Sequence, residues 1–198
     1  MMEHVRPEPR AQNPEPSRRG WWCIVGVGLL ALCSCASNTI SPEWKRVPPG
    51  VAANDFALTQ VDGGPVRLSD YRGRVVIMEF WATWCGPCRF SLPSLEVIYK
   101  KYRDHGVTVL LLNQGETADS IKRWAGQRFT APILMDERSD VAASYHVQGI
   151  PRLFLIDREG NLLYEHEGYG GGLERNLKLI LDGLLGIGQS RRSGTSQV

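Results

Sequence analysis

Short, unbroken apolar runs alternate with amphipathic segments between residues 51 and 187 of this 198-residue chain. Unbroken runs are typical of strands buried on both faces, and apolar residues spaced three or four apart are typical of helices. The pattern predicts strands at 74–81, 107–112 and 133–135, and helices at 90–104, 117–129, 140–145 and 173–185. This alternation favours an α/β sandwich, in which helices flank a mixed central sheet.

Two further pairs of segments predict β-hairpins, because each pair is joined by a short turn-forming stretch. The first connects 56–59 to 66–68 through Asp62-Gly63-Gly64, and the second connects 153–156 to 162–164. The first hairpin precedes the central strand, so we expect it to be an N-terminal addition to the sandwich. The second leads into the last helix.

The N-terminal region differs from the rest of the chain. About a dozen apolar or small residues, 21–32, follow a basic flank, and this run is shorter than the ~20 residues that cross a bilayer. It therefore predicts a signal peptide at 1–34. Leu32-Cys33-Ser34-Cys35 resembles a lipoprotein signal box, and the small Ser34 favours cleavage before Cys35, which would then be acylated. A plain secretory peptide and an uncleaved anchor are the alternatives.

Residues 36–49 are polar and lack apolar periodicity, so residues 35–50 are predicted to be a tether between the lipid and the domain. The domain is predicted to span 51–187, followed by a polar tail at 188–198. The length of the chain allows one compact domain with such tails.

Composition excludes one class of function. The chain carries 23 basic and 21 acidic side chains, a formal net charge of +2. So close a balance creates no field able to neutralise nucleic-acid phosphates, and we expect no nucleic-acid partner. The content of 42% hydrophobic residues is that of an ordinary folded domain.

The chemistry centres on Trp84-Cys85-Gly86-Pro87-Cys88, which lies where the central strand gives way to a helix. Free N–H groups and the dipole at a helix start stabilise a sulfur anion, so Cys85 is predicted to attack disulfides as a thiolate, and Cys88 to resolve the mixed disulfide. Pro87 suits the first helical turn. The alternative, half of a zinc site, needs two more ligands, and no suitable spacing supplies them, so we expect neither a metal nor a cofactor beyond the Cys85–Cys88 disulfide.

Three segments carry a resemblance to a known family. Residues 79–89 resemble the active-site segment of the thioredoxin superfamily. Residues 55–73 and 145–157 resemble two signatures of the TlpA/ResA-type membrane-tethered thiol–disulfide oxidoreductases, whose redoxin domain is related to the AhpC/TSA peroxiredoxins. The resemblance covers about 51–186 and implies a thioredoxin-like fold. A peroxidase is disfavoured because that class places threonine where this chain has Ala82.

The resemblance also implies roles for individual residues. Pro151 is expected to be cis and to lie against the cysteines, and substrate is expected to contact Trp84, Gly86, Pro87, Ile150 and Pro151. Arg152 replaces a small hydroxyl residue, which predicts a more basic groove.

Glu79 falls where thioredoxin has a buried aspartate, whereas the glutamate that TlpA/ResA-type proteins often carry after the second cysteine is Ser91 here. Glu79 is expected to exchange a proton with Cys88 and to have a raised pKa. The alternative is a structural carboxylate paired with a basic side chain.

These inferences predict an exported reductase of protein disulfides, lipid-anchored at Cys35 on the periplasmic side of a bacterial membrane and supplied with electrons by a membrane thiol donor. The Gly86-Pro87 pair favours the reducing direction because thioredoxin carries the same pair. A disulfide oxidase or isomerase is one alternative. A module that binds Cu(I) through the dithiol is another.

Overall fold

The computed structural model describes residues 39–187. Within that range, eight strands form one sheet and four α-helices pack on it. The strands are β1 Trp44–Arg46, β2 Ala57–Gln60, β3 Pro65–Arg67, β4 Val75–Trp81, β5 Val107–Gln114, β6 Ile133–Asp136, β7 Arg152–Ile156 and β8 Leu162–Glu167. The helices are α1 Cys88–Tyr102, α2 Ala118–Ala125, α3 Asp140–Ser144 and α4 Leu173–Leu185.

The sheet is mixed, as the sequence pattern predicts. Its strand order is β1-β8-β7-β4-β5-β6-β2-β3. The central strands β4, β5 and β6 are parallel, and every other neighbouring pair is antiparallel. All seven residues of β4 are buried, which explains why the sequence of this strand is a nearly unbroken apolar run.

Two apolar layers cover the faces of the sheet. One contains Leu92 and Leu95 of α1 and Leu177 of α4, and the other contains Phe80, Phe154 and Tyr145. Successive strand residues point to opposite faces. Glu79 therefore lies on the face covered by α1, in the layer that contains Cys85 and Cys88.

Both predicted hairpins are confirmed, and β2–β3 adds to the sheet edge through the pairing of β2 with β6. Helix α2 is shorter than predicted and ends at Ala125 rather than Phe129. Gly126 stops it with a positive φ of 50°, a conformation that favours glycine. Phe129 then stacks on Trp124 from outside the helix, with 5.9 Å between ring centroids.

The prediction of a tether at 35–50 is wrong for its last part, because β1 belongs to the sheet. This strand pairs antiparallel with β8 at the edge opposite the hairpin. Trp44 is only 6% exposed and packs against His166, with a ring separation of 4.9 Å. The folded domain therefore begins by Trp44 rather than at Val51. The sequence pattern missed this strand because three residues with a single buried side chain show no period.

Several sequence predictions lie outside the described residues: the signal peptide at 1–34, the acylation site Cys35 and the tail at 188–198. Among residues 39–187, no helix has both the length and the apolar character that crossing a bilayer would require.

Replacement of Trp44 by alanine tests whether β1 is part of the fold. Truncating a buried tryptophan should lower the free energy of unfolding by about 3 kcal/mol, measured by urea denaturation. The neighbouring variant Lys45→Ala is the control, because its side chain is 68% exposed and should have little effect. Equal, negligible effects of both substitutions would show that the segment is a tether after all.

Candidate active site

The two cysteines lie at the junction between β4 and α1. They form a disulfide with an S–S distance of 2.05 Å. Cys88, the first residue of α1, is fully buried, whereas Cys85 is 4% exposed and is flanked by Trp84, which is 69% exposed. Cys85 is therefore the sulfur that an incoming protein can reach.

The start of α1 directs a backbone donor at this sulfur. The N–H of Cys88 donates to Cys85 Sγ over 3.2 Å, whereas the next amide, that of Arg89, bonds to Gly86 O. Pro87 precedes the helix with φ of −60° and has no N–H to satisfy. An N–H and the positive end of the helix dipole thus face the position at which a Cys85 thiolate would form.

The loop before β7 brings a backbone acceptor to the same sulfur. The Ile150–Pro151 bond is cis, as the resemblance implies. Ile150 O lies 3.7 Å from Cys85 Sγ. Pro151 O accepts a hydrogen bond from Gly168 N at 2.8 Å, which ties this loop to the end of β8.

Glu79 is buried in β4 with only 1% of its surface exposed. Burial raises its pKa to about 8, partly opposed by a hydrogen bond from the Ser91 hydroxyl. Within residues 39–187, no basic side chain pairs with it, so the alternative of a structural ion pair is not found. The raised pKa predicted from the sequence is confirmed.

Ser91 connects Glu79 to the turn that carries Cys88. Its Oγ lies 2.6 Å from Glu79 Oε1 and 3.2 Å from the carbonyl oxygen of Cys88. A hydroxyl both donates and accepts, so it can donate to ionised Glu79, or accept from protonated Glu79 while donating to that carbonyl. The sequence flagged Ser91 only as a departure from the relatives, and the helical spacing of Cys88 and Ser91 is the signal that could have placed it here.

Arg152 does not make the groove basic, so this expectation is wrong. Its guanidinium lies 2.6 Å from Glu165 Oε2 and 2.7 Å from Glu167 Oε2, and only 13% of the side chain is exposed. All three residues lie on the paired strands β7 and β8. Two carboxylates therefore pair with the Arg152 guanidinium beside Pro151.

Comparison with known proteins gives matches in sequence. Residues 49–165 match the AhpC/TSA family. The chain is 42% identical over 140 residues to thiol-disulfide oxidoreductase ResA of Geobacillus kaustophilus, which covers 68% of this chain and 80% of that protein.

Two solved structures share the fold. A Chlorobium tepidum structure described as thiol:disulfide interchange protein DsbE superposes with a TM-score of 0.64 at 35% identity, and covers 70% of this chain and 99% of its own. The exposed lipoprotein thioredoxin Etrx1 of Streptococcus pneumoniae has a TM-score of 0.55 at 32% identity, and covers 65% and 99%. The predicted thioredoxin-like fold is confirmed.

The raised pKa of Glu79 predicts how stability depends on pH. The folded protein retains a proton on Glu79 up to about pH 8, whereas the unfolded chain releases it near 4.5. Between those values the folded state binds more protons, so the free energy of unfolding should fall as pH rises, by about 1.4 kcal/mol per unit at most, and level off above pH 8.

Glu79→Gln should remove this slope and become increasingly more stable than the wild type as pH rises. Urea denaturation of the oxidised proteins across pH 4.5–8.5 measures the difference. Exposed Glu159→Gln is the control and should follow the wild type. Parallel curves for wild type and Glu79→Gln would mean that Glu79 has an ordinary pKa.

Proposed function

This chain belongs to the AhpC/TSA family and is a thiol–disulfide oxidoreductase, and we propose that it reduces protein disulfides outside the cytoplasm through Cys85 and Cys88. The observation that carries the proposal is the convergence of the α1 start and the cis-Pro loop on one accessible sulfur. Cys85 Sγ lies 3.2 Å from Cys88 N and 3.7 Å from Ile150 O.

The reaction begins with the reduced protein. The Cys85 thiolate attacks one sulfur of a substrate disulfide, an S–S bond forms between them, and the second substrate sulfur leaves as a thiolate that takes a proton. Cys88 then gives its proton to a base and attacks Cys85 Sγ as a thiolate. The S–S bond between Cys85 and the substrate breaks, and the first substrate sulfur leaves as a thiolate that takes a proton from the solvent. The products are a substrate dithiol and the Cys85–Cys88 disulfide that the structure contains.

The second step needs a base for the Cys88 proton, and we assign it to Glu79. Burial raises the pKa of Glu79 to about 8, so this carboxyl is better matched than an ordinary one to take a proton from a thiol and to return it. Ser91 supports the exchange because its hydroxyl can hydrogen-bond to Glu79 in both protonation states.

Substrate binding follows from the backbone beside the sulfur. Ile150 lies in the loop next to Cys85 and offers main-chain groups to an extended polypeptide, which would pair with it as an added strand does. Trp84, Gly86 and Pro87 are exposed around Cys85 and complete the contact surface. The substrates are therefore extended segments that carry a disulfide.

The reducing direction and the location extend the proposal. Gly86-Pro87 is the pair found in thioredoxin, and a membrane thiol donor would regenerate the dithiol. The similarity to an exposed lipoprotein thioredoxin supports export and acylation of Cys35. An oxidase or isomerase would use the same two sulfurs at a higher reduction potential.

The reduction potential tests the direction. Equilibration with glutathione should place the couple below about −220 mV, near the ~−270 mV of thioredoxin. Alkylation of the free thiols measures the reduced fraction, and Cys88→Ser, which cannot form the disulfide, is the control. A value near −120 mV, that of the strong oxidant DsbA, would identify an oxidase instead.

The proton-exchange role of Glu79 predicts a kinetic effect. Glu79→Gln should slow disulfide reduction at pH 7 by about 10- to 10⁴-fold, because water replaces the base only in part. The deficit should shrink at alkaline pH, where hydroxide can take the Cys88 proton in place of the carboxylate. Ser91→Ala should show the same pattern more weakly.

The measurement is the pH–rate profile of insulin reduction, with thermal unfolding as a check that each variant is folded. If folded Glu79→Gln follows the wild-type profile, Cys88 exchanges its proton with water or another group.

The N-terminus of the exported protein tests the location. Mass spectrometry should find a lipid-modified Cys35 as the first residue, and the protein should fractionate with membranes. Cys35→Ser should abolish the modification, whereas Cys33→Ser should retain it. An unmodified N-terminus at Ala36 or beyond would rule out acylation.

A further inference from the structure

A cluster on the other side of the active-site turn holds Thr83 in place. The Glu116 carboxylate, in the connection between β5 and α2, accepts hydrogen bonds from Thr83 N at 2.7 Å and from the Thr83 hydroxyl. It also accepts one from Asn113 Nδ2 at 2.8 Å. Arg89 of α1 donates to Thr83 O at 3.2 Å. The N–H, the hydroxyl and the carbonyl of Thr83 are therefore each bound by a side chain from another element.

Thr83 lies within the turn that delivers Cys85. Cys85 N bonds to Ala82 O at 3.1 Å, so the turn closes around Thr83 and Trp84. The Trp84 side chain is 69% exposed and contributes little packing. The hydrogen bonds on Thr83 therefore restrain the path from the end of β4 to the sulfur.

The bonds to Glu116 are charge-assisted at neutral pH. Burial alone would raise the pKa of Glu116, but the hydrogen bonds from Thr83 and Asn113 outweigh it and lower the pKa. Hydrogen bonds to an ionised carboxylate are shorter and stronger than those between neutral groups. Glu116 is thus a suitable anchor for a loop that must return to one geometry.

We propose that Glu116 is a positioning residue for thiol–disulfide exchange: through Thr83 it holds Cys85 Sγ against the N–H at the start of α1. This rests on Cys85 being the attacking sulfur, as proposed above. With the anchor removed, the turn loosens, the sulfur spends less time at the helix start, and the Cys85 thiolate loses part of its stabilisation.

A positioning role and a purely electrostatic role predict opposite results. The negative charge of Glu116 by itself disfavours a nearby thiolate, so its removal alone would lower the pKa of Cys85. Other charged or titratable side chains also lie near the sulfur: Arg89 of α1, bonded to Thr83 O, Glu79 in β4, and the Cys88 thiol of the reduced protein. On β7 and β8, Arg152 lies next to Pro151 and is paired with Glu165 and Glu167. The Glu116 variants leave all of these residues unchanged.

The experiment is the pH dependence of iodoacetamide alkylation at Cys85 in the reduced full chain, resolved by peptide mass spectrometry. Glu116→Ala should raise the apparent pKa of Cys85 and slow its alkylation at pH 6 by about three- to tenfold, with no change well above the thiol pKa. Glu116→Gln should slow the alkylation less, because its amide oxygen can still accept a hydrogen bond from Thr83 N. Exposed Glu159→Ala should match the wild type.

Thr83→Val keeps the hydrogen bond from Thr83 N to Glu116 and loses the one from the hydroxyl, so it should also raise the apparent pKa of Cys85. In the double variant it should add little to the effect of Glu116→Ala, because both substitutions break the same contact. It also carries the test if Glu116→Ala fails to fold. An unchanged profile, or faster alkylation at pH 6, would overturn the inference. Alkylation of Cys88 in preference to Cys85 in the wild type would instead overturn the proposed roles of the two sulfurs.

Discussion

The complete burial of β4 determines where the chemistry takes place. All seven of its residues are buried between β5 and β7, so the end of this strand is a fixed point from which the active-site turn departs. The same strand sets the position of the cis-Pro loop, because Phe80 pairs with Arg152 and Pro151 is the next residue outward. The register between β4 and β7 therefore positions both Cys85 Sγ and Ile150 O.

Two carboxyl groups near this turn have opposite pKa shifts, and this difference separates their roles. Glu79 has one hydroxyl partner and a raised pKa, so it can hold or release a proton near neutral pH. Glu116 accepts three hydrogen bonds and has a lowered pKa, so it remains ionised and suits a structural anchor. Environment, rather than residue type, therefore favours the proposed proton exchange for Glu79 and the proposed positioning role for Glu116.

The sequence predicted what depends on local pattern. Apolar runs located β4 and β5, and the cysteine spacing after a strand located the candidate active site. The sequence missed β1, because an edge strand of three residues has no detectable period. It also missed the partners of Glu79 and Thr83. Ser91 is 12 residues from Glu79, and Glu116 is 33 from Thr83, so their contacts exist only once α1 and the β5–α2 connection pack around β4.

The charges around the sulfur bear on how substrates would be recognised. Arg152 is paired with Glu165 and Glu167, and Arg89 donates to Thr83 O, so these two cations have intramolecular partners. A substrate carboxylate would have to compete with those contacts. Main-chain pairing with Ile150 carries no such cost, because it depends on the shared geometry of the peptide bond. Recognition by backbone rather than by charge would allow a thiol–disulfide oxidoreductase to bind disulfides in segments of different sequence.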